Sequence, residues 1–253
     1  MIKGEKMMLT NLKDTTTLSN GVKMPWLGLG VFKVDDGEEV IHSVMAAIRN
    51  GYISIDTAAI YENEEGVGQA IRESGIPREE LFITSKLWNA DQGYESTLKA
   101  FEKLYKEGRV RAIGVSNFHI HHLQDLISSS EIKPMVNQVE FHPHLTQKDL
   151  LAYCQKEGIQ LEAWSPLKRG QLINNPVIEQ LAHKYNKSVA QIILRWDLQH
   201  GVVTIPKSIK EHRIIENANV FDFELSQQDM DKIDGLNEDS RAGSNPDTMM
   251  RGF

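Results

Sequence analysis

The stretch GYISIDTAAIYENEEGVG, residues Gly51–Gly68, decides the fold of this chain. The short apolar alternation of Ile53 and Ile55 predicts a strand, and a helical pattern resumes after it. Asp56 falls at the end of this strand, and Tyr61 follows in the connecting loop. α/β barrels place their chemistry at the carboxyl ends of their strands. A structural alternative is that Asp56 caps the next helix and Tyr61 packs against that helix.

Strands and helices alternate on both sides of this stretch. An Asn-Gly pair at residues 20–21 predicts an N-terminal β-hairpin within residues 15–24. Beyond it, apolar segments predict strands near residues 28, 54, 83, 112, 137, 161 and 203, with helical patterns between them. Such alternation is typical of βαβ units in a parallel sheet. We therefore predict one α/β domain over residues 1–253, a TIM-type (β/α) barrel with seven barrel strands instead of the usual eight.

The composition limits the function classes. The 253 residues with 40% hydrophobic content are enough for one barrel. The net charge of -7 argues against nucleic acid or an anionic membrane as a partner. Cys154 is the one cysteine, so a disulfide framework is excluded and a cytoplasmic location is expected. No apolar run approaches the about 18 residues of a membrane span.

Polar residues stand at the ends of most predicted strands. In a parallel barrel these ends share one rim, so their side chains are expected to lie close together. The residues at these positions are Asp56, Lys86, Ser116, Asn117, Gln138, Ser165, Lys207 and Ser208. We therefore predict a site at this rim.

Tyr61 is the candidate proton donor of the site. A tyrosine with its ordinary pKa of about 10 is a poor donor at neutral pH. The ammonium of Lys86 would lower the pKa of Tyr61, and Asp56 would hold Lys86 charged and in place. Tyr61 would then protonate a carbonyl oxygen as a hydride arrives. The alternative is a structural ion pair between Asp56 and Lys86, with Tyr61 in packing.

A second cluster follows the last predicted strand and consists of Lys207, Ser208 and Arg213. Barrels often bind phosphate there, between the final loops and a helix N-terminus. Two cations and a hydroxyl suit a phosphate monoester. The alternative is a solvated charged face.

Together these segments resemble the aldo-keto reductase family along nearly the whole chain. The resemblance is carried by Gly51–Ala58 with Tyr61, Asn63, Glu64 and Gly68; by Ser116–Phe118, Asn137-Gln138 and Trp164–Leu167; and by Ile205–Ser208 with Arg213. The pattern is similar to that of bacterial reductases of the 2,5-diketo-gluconate or glyoxal/methylglyoxal type.

The resemblance implies reduction of aldehydes or ketones with NADPH and without a metal, in a protein of a family that is often monomeric. It implies that Tyr61 is the general acid, tuned by Lys86 and Asp56. The implied cofactor contacts are Ser116, Asn117 and Gln138 to the nicotinamide carboxamide, Trp164 to its ring, Ser165 and Leu167 to the pyrophosphate, Lys207, Ser208 and Arg213 to the 2′-phosphate, and Glu216 and Asn217 to the adenine. Phe32 and Trp88 would line the substrate pocket, or alternatively serve in packing.

One catalytic member of the family pattern, a histidine that ends the fourth barrel strand, is missing between Lys86 and Ser116. About 30 residues, the size of one βα unit, are absent there, with the seam near residues 101–102. We expect either seven strands that close imperfectly or a gap with two open strand edges. The histidines at 119, 121 and 122 are predicted to lie on the surface at the start of a helix. The polar tail from Asn237 is predicted to be a loop or disordered.

The leading interpretation is therefore an NADPH-dependent reductase of small dicarbonyl or sugar-derived carbonyl substrates. Loss of the histidine segment predicts activity lowered by about 10²–10⁴-fold. Two alternatives remain open at this point. One is a catalytically inactive NADP(H)-binding remnant, and the other is a misfolded product of an internal deletion.

Overall fold

The computed structural model of this protein describes residues 9–87 and 94–249, so Trp88 lies outside the described residues. The elements follow one another in the order β1 (Thr15–Thr17), β2 (Lys23–Pro25), β3 (Leu29–Gly30), α1 (Glu38–Arg49), β4 (Ser54–Asp56), α2 (Glu64–Glu73), β5 (Phe82–Thr84), α3 (Tyr94–Lys106), β6 (Gly114–Ser116), α4 (Ile120–Ser129), β7 (Val136–Glu140), α5 (Lys148–Glu157), β8 (Gln160–Trp164), α6 (Pro176–Tyr185), α7 (Val189–Gln199), β9 (Val203–Thr204), α8 (Glu211–Ala218), α9 (Gln227–Asp234) and α10 (Pro246–Met249). Within these ranges, no helix combines the length and the apolar character needed to cross a membrane.

The predicted N-terminal hairpin is confirmed. Strands β1 and β2 pair antiparallel, with Thr16 opposite Met24. The turn is closed by the backbone N–H of Leu18, which donates to the Val22 carbonyl at 2.9 Å. Gly21 has φ of +88°, a conformation that explains why a glycine stands in this turn.

The remaining strands form two parallel sheets, β3-β4-β5 and β6-β7-β8-β9. Parallel bridges between Leu27 and Thr204 and between Gly30 and Lys207 join the β3 side of the first sheet to the β9 side of the second. Among the described residues, no ladder joins β5 to β6. The sheets therefore do not close into a ring, which agrees with the expectation of a gap with open edges.

The two open edges face each other across this gap. The Phe82 N–H donates to the Ile53 carbonyl at 2.7 Å, and the Thr57 N–H donates to the Thr84 carbonyl at 2.9 Å. Because alternate residues of a parallel strand bond to opposite neighbours, Ile83 directs its backbone groups toward the gap. On the other side, β6 begins at Gly114 and pairs with β7, and none of the described residues pairs with its gap side.

Two side-chain contacts hold the elements around the gap. Arg111 Nη2, ahead of β6, donates to the Leu81 carbonyl ahead of β5 at 2.8 Å. Glu102, at the predicted seam in α3, is 6% exposed. Its Oε1 accepts from the backbone N–H groups of Glu131 and Ile132 at 2.8 and 3.0 Å. Helix α3 is thus one continuous helix that packs against the end of α4.

The segment from Asn237 is a loop up to residue 245, which agrees with one of the two predicted alternatives, and it ends in the short helix α10. The backbone N–H of Ser240 donates to the His144 carbonyl at 3.0 Å. Further along, the backbone N–H of Gly243 donates to the buried carboxylate of Glu140 at 3.0 Å. A buried carboxylate needs hydrogen-bond donors. The backbone N–H groups of this segment supply them to Glu140, and the resulting bonds hold the polar segment in place.

Candidate active site

The strand ends bring Asp56, Lys86 and Tyr61 together. Asp56 ends β4 and is 3% exposed. Lys86 lies two residues beyond β5, and its Nζ donates to Asp56 Oδ1 at 2.6 Å and to the Thr57 carbonyl at 2.9 Å. The same Nζ lies 5.2 Å from the centre of the Tyr61 ring. The three side chains therefore form one charged cluster at the rim.

The loop that carries Tyr61 is fixed from behind by Asn63, which is fully buried. The Thr57 hydroxyl donates to Asn63 Oδ1 at 2.7 Å. Asn63 Nδ2 donates to the carbonyls of Val31 and Val34 at 3.0 and 2.9 Å. These bonds tie the turn between β4 and α2 to the loop after β3, which places Tyr61 opposite Lys86.

The Lys86 charge acts to lower the pKa of Tyr61, as predicted, but the pKa of Tyr61 as a whole is raised. Burial disfavours the tyrosinate and outweighs the favourable charge of Lys86, and the Asp56 carboxylate adds to the rise. Burial also acts to lower the pKa of Lys86, but the charge and hydrogen bond of Asp56, together with Tyr61 and Glu162, outweigh burial, so the pKa of Lys86 is raised. Lys86 is therefore an ammonium at neutral pH, as expected.

Glu162 extends this cluster into the barrel, and the sequence reasoning missed it. Gln138 Nε2 donates to Asp56 Oδ2 and to Glu162 Oε2, both at 2.8 Å. Glu162 is 1% exposed, and burial, with the Asp56 charge adding to it, raises its pKa to about 8. A signal was present, since a carboxylate interrupts the otherwise apolar centre of β8. Gln138, predicted to contact the carboxamide of the cofactor, thus donates its amide N–H groups to the carboxyl groups of Asp56 and Glu162.

The loops after β6 and β8 meet at the same rim. Asn117 and Ser165 adopt left-handed backbone conformations, with φ of +61° and +50°. Trp164 Nε1 donates to Asn117 Oδ1 at 2.8 Å. The Ser116 hydroxyl donates to the Gln138 carbonyl at 3.0 Å. These contacts place the residues predicted to hold a nicotinamide next to one another.

The predicted phosphate cluster lies after β9 and on α8. Lys207 and Arg213 are exposed, and neither forms an ion pair with any carboxylate in residues 9–87 and 94–249. Ser208 is 7% exposed, and its hydroxyl accepts from the Lys210 N–H at 3.1 Å. Unpaired cations beside a helix start fit an anionic group such as a phosphate.

One cavity of about 2640 Å³ connects these groups. It is bordered by every candidate residue in the described part of the chain, namely Phe32, Asp56, Tyr61, Lys86, Ser116, Asn117, Gln138, Trp164, Ser165, Leu167, Lys207, Ser208, Arg213, Glu216 and Asn217. The Phe32 ring lies 5.0 Å from that of Tyr61. The cavity exceeds the about 300–1,000 Å³ of ordinary ligand sites, since it continues along the gap beside Ile83 and Val115.

Comparisons with known proteins agree with this geometry. The profile of the aldo/keto reductase family matches residues 26–96 and 88–238. The chain is 64% identical to the glyoxal reductase of Bacillus subtilis (strain 168) over 275 aligned positions, which cover 96% of this chain and 100% of that protein. The crystal structure of an aldo-keto reductase from a Medee basin deep-sea metagenome library matches with a TM-score of 0.89 and 42% identity, covering 92% of this chain and 98% of that one. The aldo-keto reductase of Bombyx mori in complex with NADP matches with a TM-score of 0.84 and 33% identity, covering 93% and 96%. The fold is therefore of the α/β TIM-barrel class.

Proposed function

This chain belongs to the aldo-keto reductase family of oxidoreductases, and we propose that it reduces small dicarbonyl compounds to hydroxycarbonyl products with NADPH. The observation that carries the proposal is the cluster of Tyr61, Lys86 and Asp56 at a cavity that also borders the unpaired cations Lys207 and Arg213. The substrate class rests on the 64% identity to a glyoxal reductase.

The residues around the cavity fit NADPH, which supplies the hydride when bound. Lys207, Ser208 and Arg213 would hold the 2′-phosphate, because two of them are exposed cations without a carboxylate partner among the described residues. The other contacts proposed for the cofactor are those of Ser116, Asn117 and Gln138 with the carboxamide, Trp164 with the nicotinamide ring, Ser165 and Leu167 with the pyrophosphate, and Glu216 and Asn217 with the adenine.

Tyr61 gives its proton to the substrate carbonyl oxygen in this proposal. Burial opposes ionisation of Tyr61. The Lys86 ammonium counters this effect because its charge stabilises the tyrosinate that is left after the proton transfer. Asp56 keeps Lys86 charged and in position through its 2.6 Å contact. Phe32 lines the substrate side of the cavity, where its ring packs against Tyr61.

We also propose that the chain lacks one βα unit of the family barrel, together with its histidine. The 275 aligned positions with the glyoxal reductase exceed the 253 residues of this chain, which supports a missing internal segment. The family profile matches in two pieces that overlap over residues 88–96, close to the proposed seam at 101–102. The proposed chain is then a single domain with seven barrel strands. Its rate of carbonyl reduction is expected to be about 10²–10⁴-fold below that of intact relatives.

We propose a cytoplasmic location and a monomeric state for this protein. The free cysteine, Cys154, is buried, which is compatible with a reducing cytoplasm. The resemblance to a family that is often monomeric favours a monomer.

The test combines cofactor binding with turnover. NADPH fluorescence quenching by the purified, untagged protein is expected, followed by slow consumption of NADPH with glyoxal and methylglyoxal. Lys207→Ala and Arg213→Ala should each weaken NADPH binding by about 10- to 100-fold, the size of a lost charge-assisted contact. Lys210→Ala, an exposed lysine that does not border the cavity, is the matched control.

The outcomes separate the three interpretations. Binding with slow turnover supports the proposal, and binding without turnover supports the inactive remnant. Absence of NADPH binding by a protein without cooperative unfolding supports the misfolded product.

A further inference from the structure

Three histidines and one aspartate converge at the start of α4, outside the residues assigned to hydride transfer. His119 precedes the helix, His121 and His122 lie in its first turn, and Asp247 belongs to α10. His119 Nδ1 and His121 Nε2 each lie 3.1 Å from Asp247 Oδ1, and His122 Nε2 lies 3.5 Å from it. One ligand atom from each residue falls within 4.8 Å of all the others.

The spacing of the three imidazole nitrogens from Asp247 Oδ1 matches that of a tetrahedral metal site. Imidazole nitrogens and carboxylate oxygens bind Zn²⁺ at about 2.0–2.1 Å, which places neighbouring ligand atoms about 3.3 Å apart. The three distances to Asp247 Oδ1 bracket that value. We propose that His119, His121, His122 and Asp247 bind a divalent transition metal of the Zn²⁺ class.

Without a metal, the described residues show a hydrogen bond to Asp247 Oδ1 from only one of the three imidazoles, that of His119. Three imidazole nitrogens face a single carboxylate oxygen, and a carboxylate oxygen offers about two lone pairs. A cation at the centre would take a lone pair from each of the four residues instead. Access is open, since the side chains of His121 and Asp247 are 58% and 41% exposed.

Two contacts must change when the metal binds. His122 Nδ1 accepts from the backbone N–H of His119 at 3.0 Å. Arg241 Nη2 lies 3.1 Å from His119 Nε2. A neutral histidine that binds a metal through one ring nitrogen carries its proton on the other ring nitrogen. The His119 backbone N–H and the Arg241 guanidinium now donate to those other nitrogens, so both must move away when the metal binds. Arg241 is therefore a competitor of the metal, and its removal should tighten binding.

The site would connect two parts of the fold. Asp247 lies in the segment after residue 237, and Gly243 of that segment packs against Trp164 at the rim of the cavity. A metal bound to Asp247 and α4 would hold this segment in place beside Trp164. This role differs from catalysis, because none of the four ligands borders the cavity.

The experiment uses Co²⁺ as a spectroscopic probe with the full-length, untagged protein. Titration should give a saturable visible absorption band of tetrahedral Co²⁺ at one ion per chain, and Zn²⁺ should displace it. His121→Ala and Asp247→Ala should each weaken Co²⁺ binding by at least about 10-fold. Removal of a residue that only hydrogen-bonds to a metal ligand already costs about that much affinity. Arg241→Ala should tighten it, and His183→Ala, an exposed histidine on α6, should leave it unchanged.

Several results would overturn the proposal. These are the absence of a stoichiometric band in the wild type, an unchanged band in His121→Ala and Asp247→Ala, or an equal loss in His183→Ala. Circular dichroism of each variant establishes that it is folded, so a lost band then reports on the ligands themselves.

Discussion

Tyr61 carries the proton that the proposed reaction transfers. Tyr61→Phe removes that proton and leaves the ring that packs against Phe32. We expect turnover of glyoxal to fall by at least about 10²-fold, with NADPH affinity unchanged, because the lost group acts in the chemical step. Steady-state NADPH consumption and fluorescence titration measure the two effects. Tyr153→Phe, the same change on α5 away from the cavity, is the control, and equal turnover in both variants would exclude Tyr61 as the acid.

Glu162 makes stability depend on pH. In the unfolded chain this carboxyl ionises near its ordinary pKa of 4.5, whereas in the folded protein it does so only at about 8. The folded state therefore keeps a proton that the unfolded state releases, and stability is lost as the pH rises from about 4.5 through about 8. The slope is at most about 1.4 kcal/mol per pH unit.

Glu162→Gln removes this titration and retains an oxygen that can accept from Gln138. We expect the variant to gain stability relative to the wild type as the pH is raised from 5 to 8. Urea unfolding at several pH values measures the difference. Glu65→Gln, an exposed change on α2, should follow the wild-type slope. If Glu162→Gln also follows it, the carboxyl is ionised in the folded protein.

At the scale of elements, β5 is an edge strand at the gap. Ile83 lies between two residues whose backbone groups bond to β4, so its N–H points away from that neighbour. We expect the Ile83 amide to exchange with solvent deuterium faster than the amide of Ile55 in the central strand β4. Hydrogen exchange followed by NMR compares the two. Equal protection would mean that something else pairs with the β5 edge.

For the whole molecule, the proposed missing unit has a direct test. Inserting the corresponding segment of about 30 residues from the glyoxal reductase of Bacillus subtilis near residues 101–102 should pair both open edges. We expect turnover to rise by about 10²–10⁴-fold, together with a higher unfolding midpoint, since a histidine and a strand are restored. A Gly/Ser insertion of equal length is the control. No gain over that control would show that the seven-stranded arrangement does not limit activity.

Local chemistry was sufficient for the hairpin turn at Asn20-Gly21, for the alternation of strands and helices, and for the positions of Asp56 and Lys86. Turn residues and hydrophobic periodicity act over a few neighbours, and parallel strands of a barrel bring their ends to one rim. These rules are sufficient to identify the rim residues from the sequence. The family resemblance added the roles proposed for them.

Only the tertiary structure decided that β5 and β6 stay apart, that burial raises the pKa of Tyr61, and that Glu162 joins Asp56 through Gln138. The tertiary structure also decided that His119 lies next to Asp247, which follows 128 residues later in the chain. Burial and long-range distance depend on how helices and sheets pack, and no local pattern encodes them. The chain sequence therefore specified which side chains reach the rim, and packing specified their charges and partners.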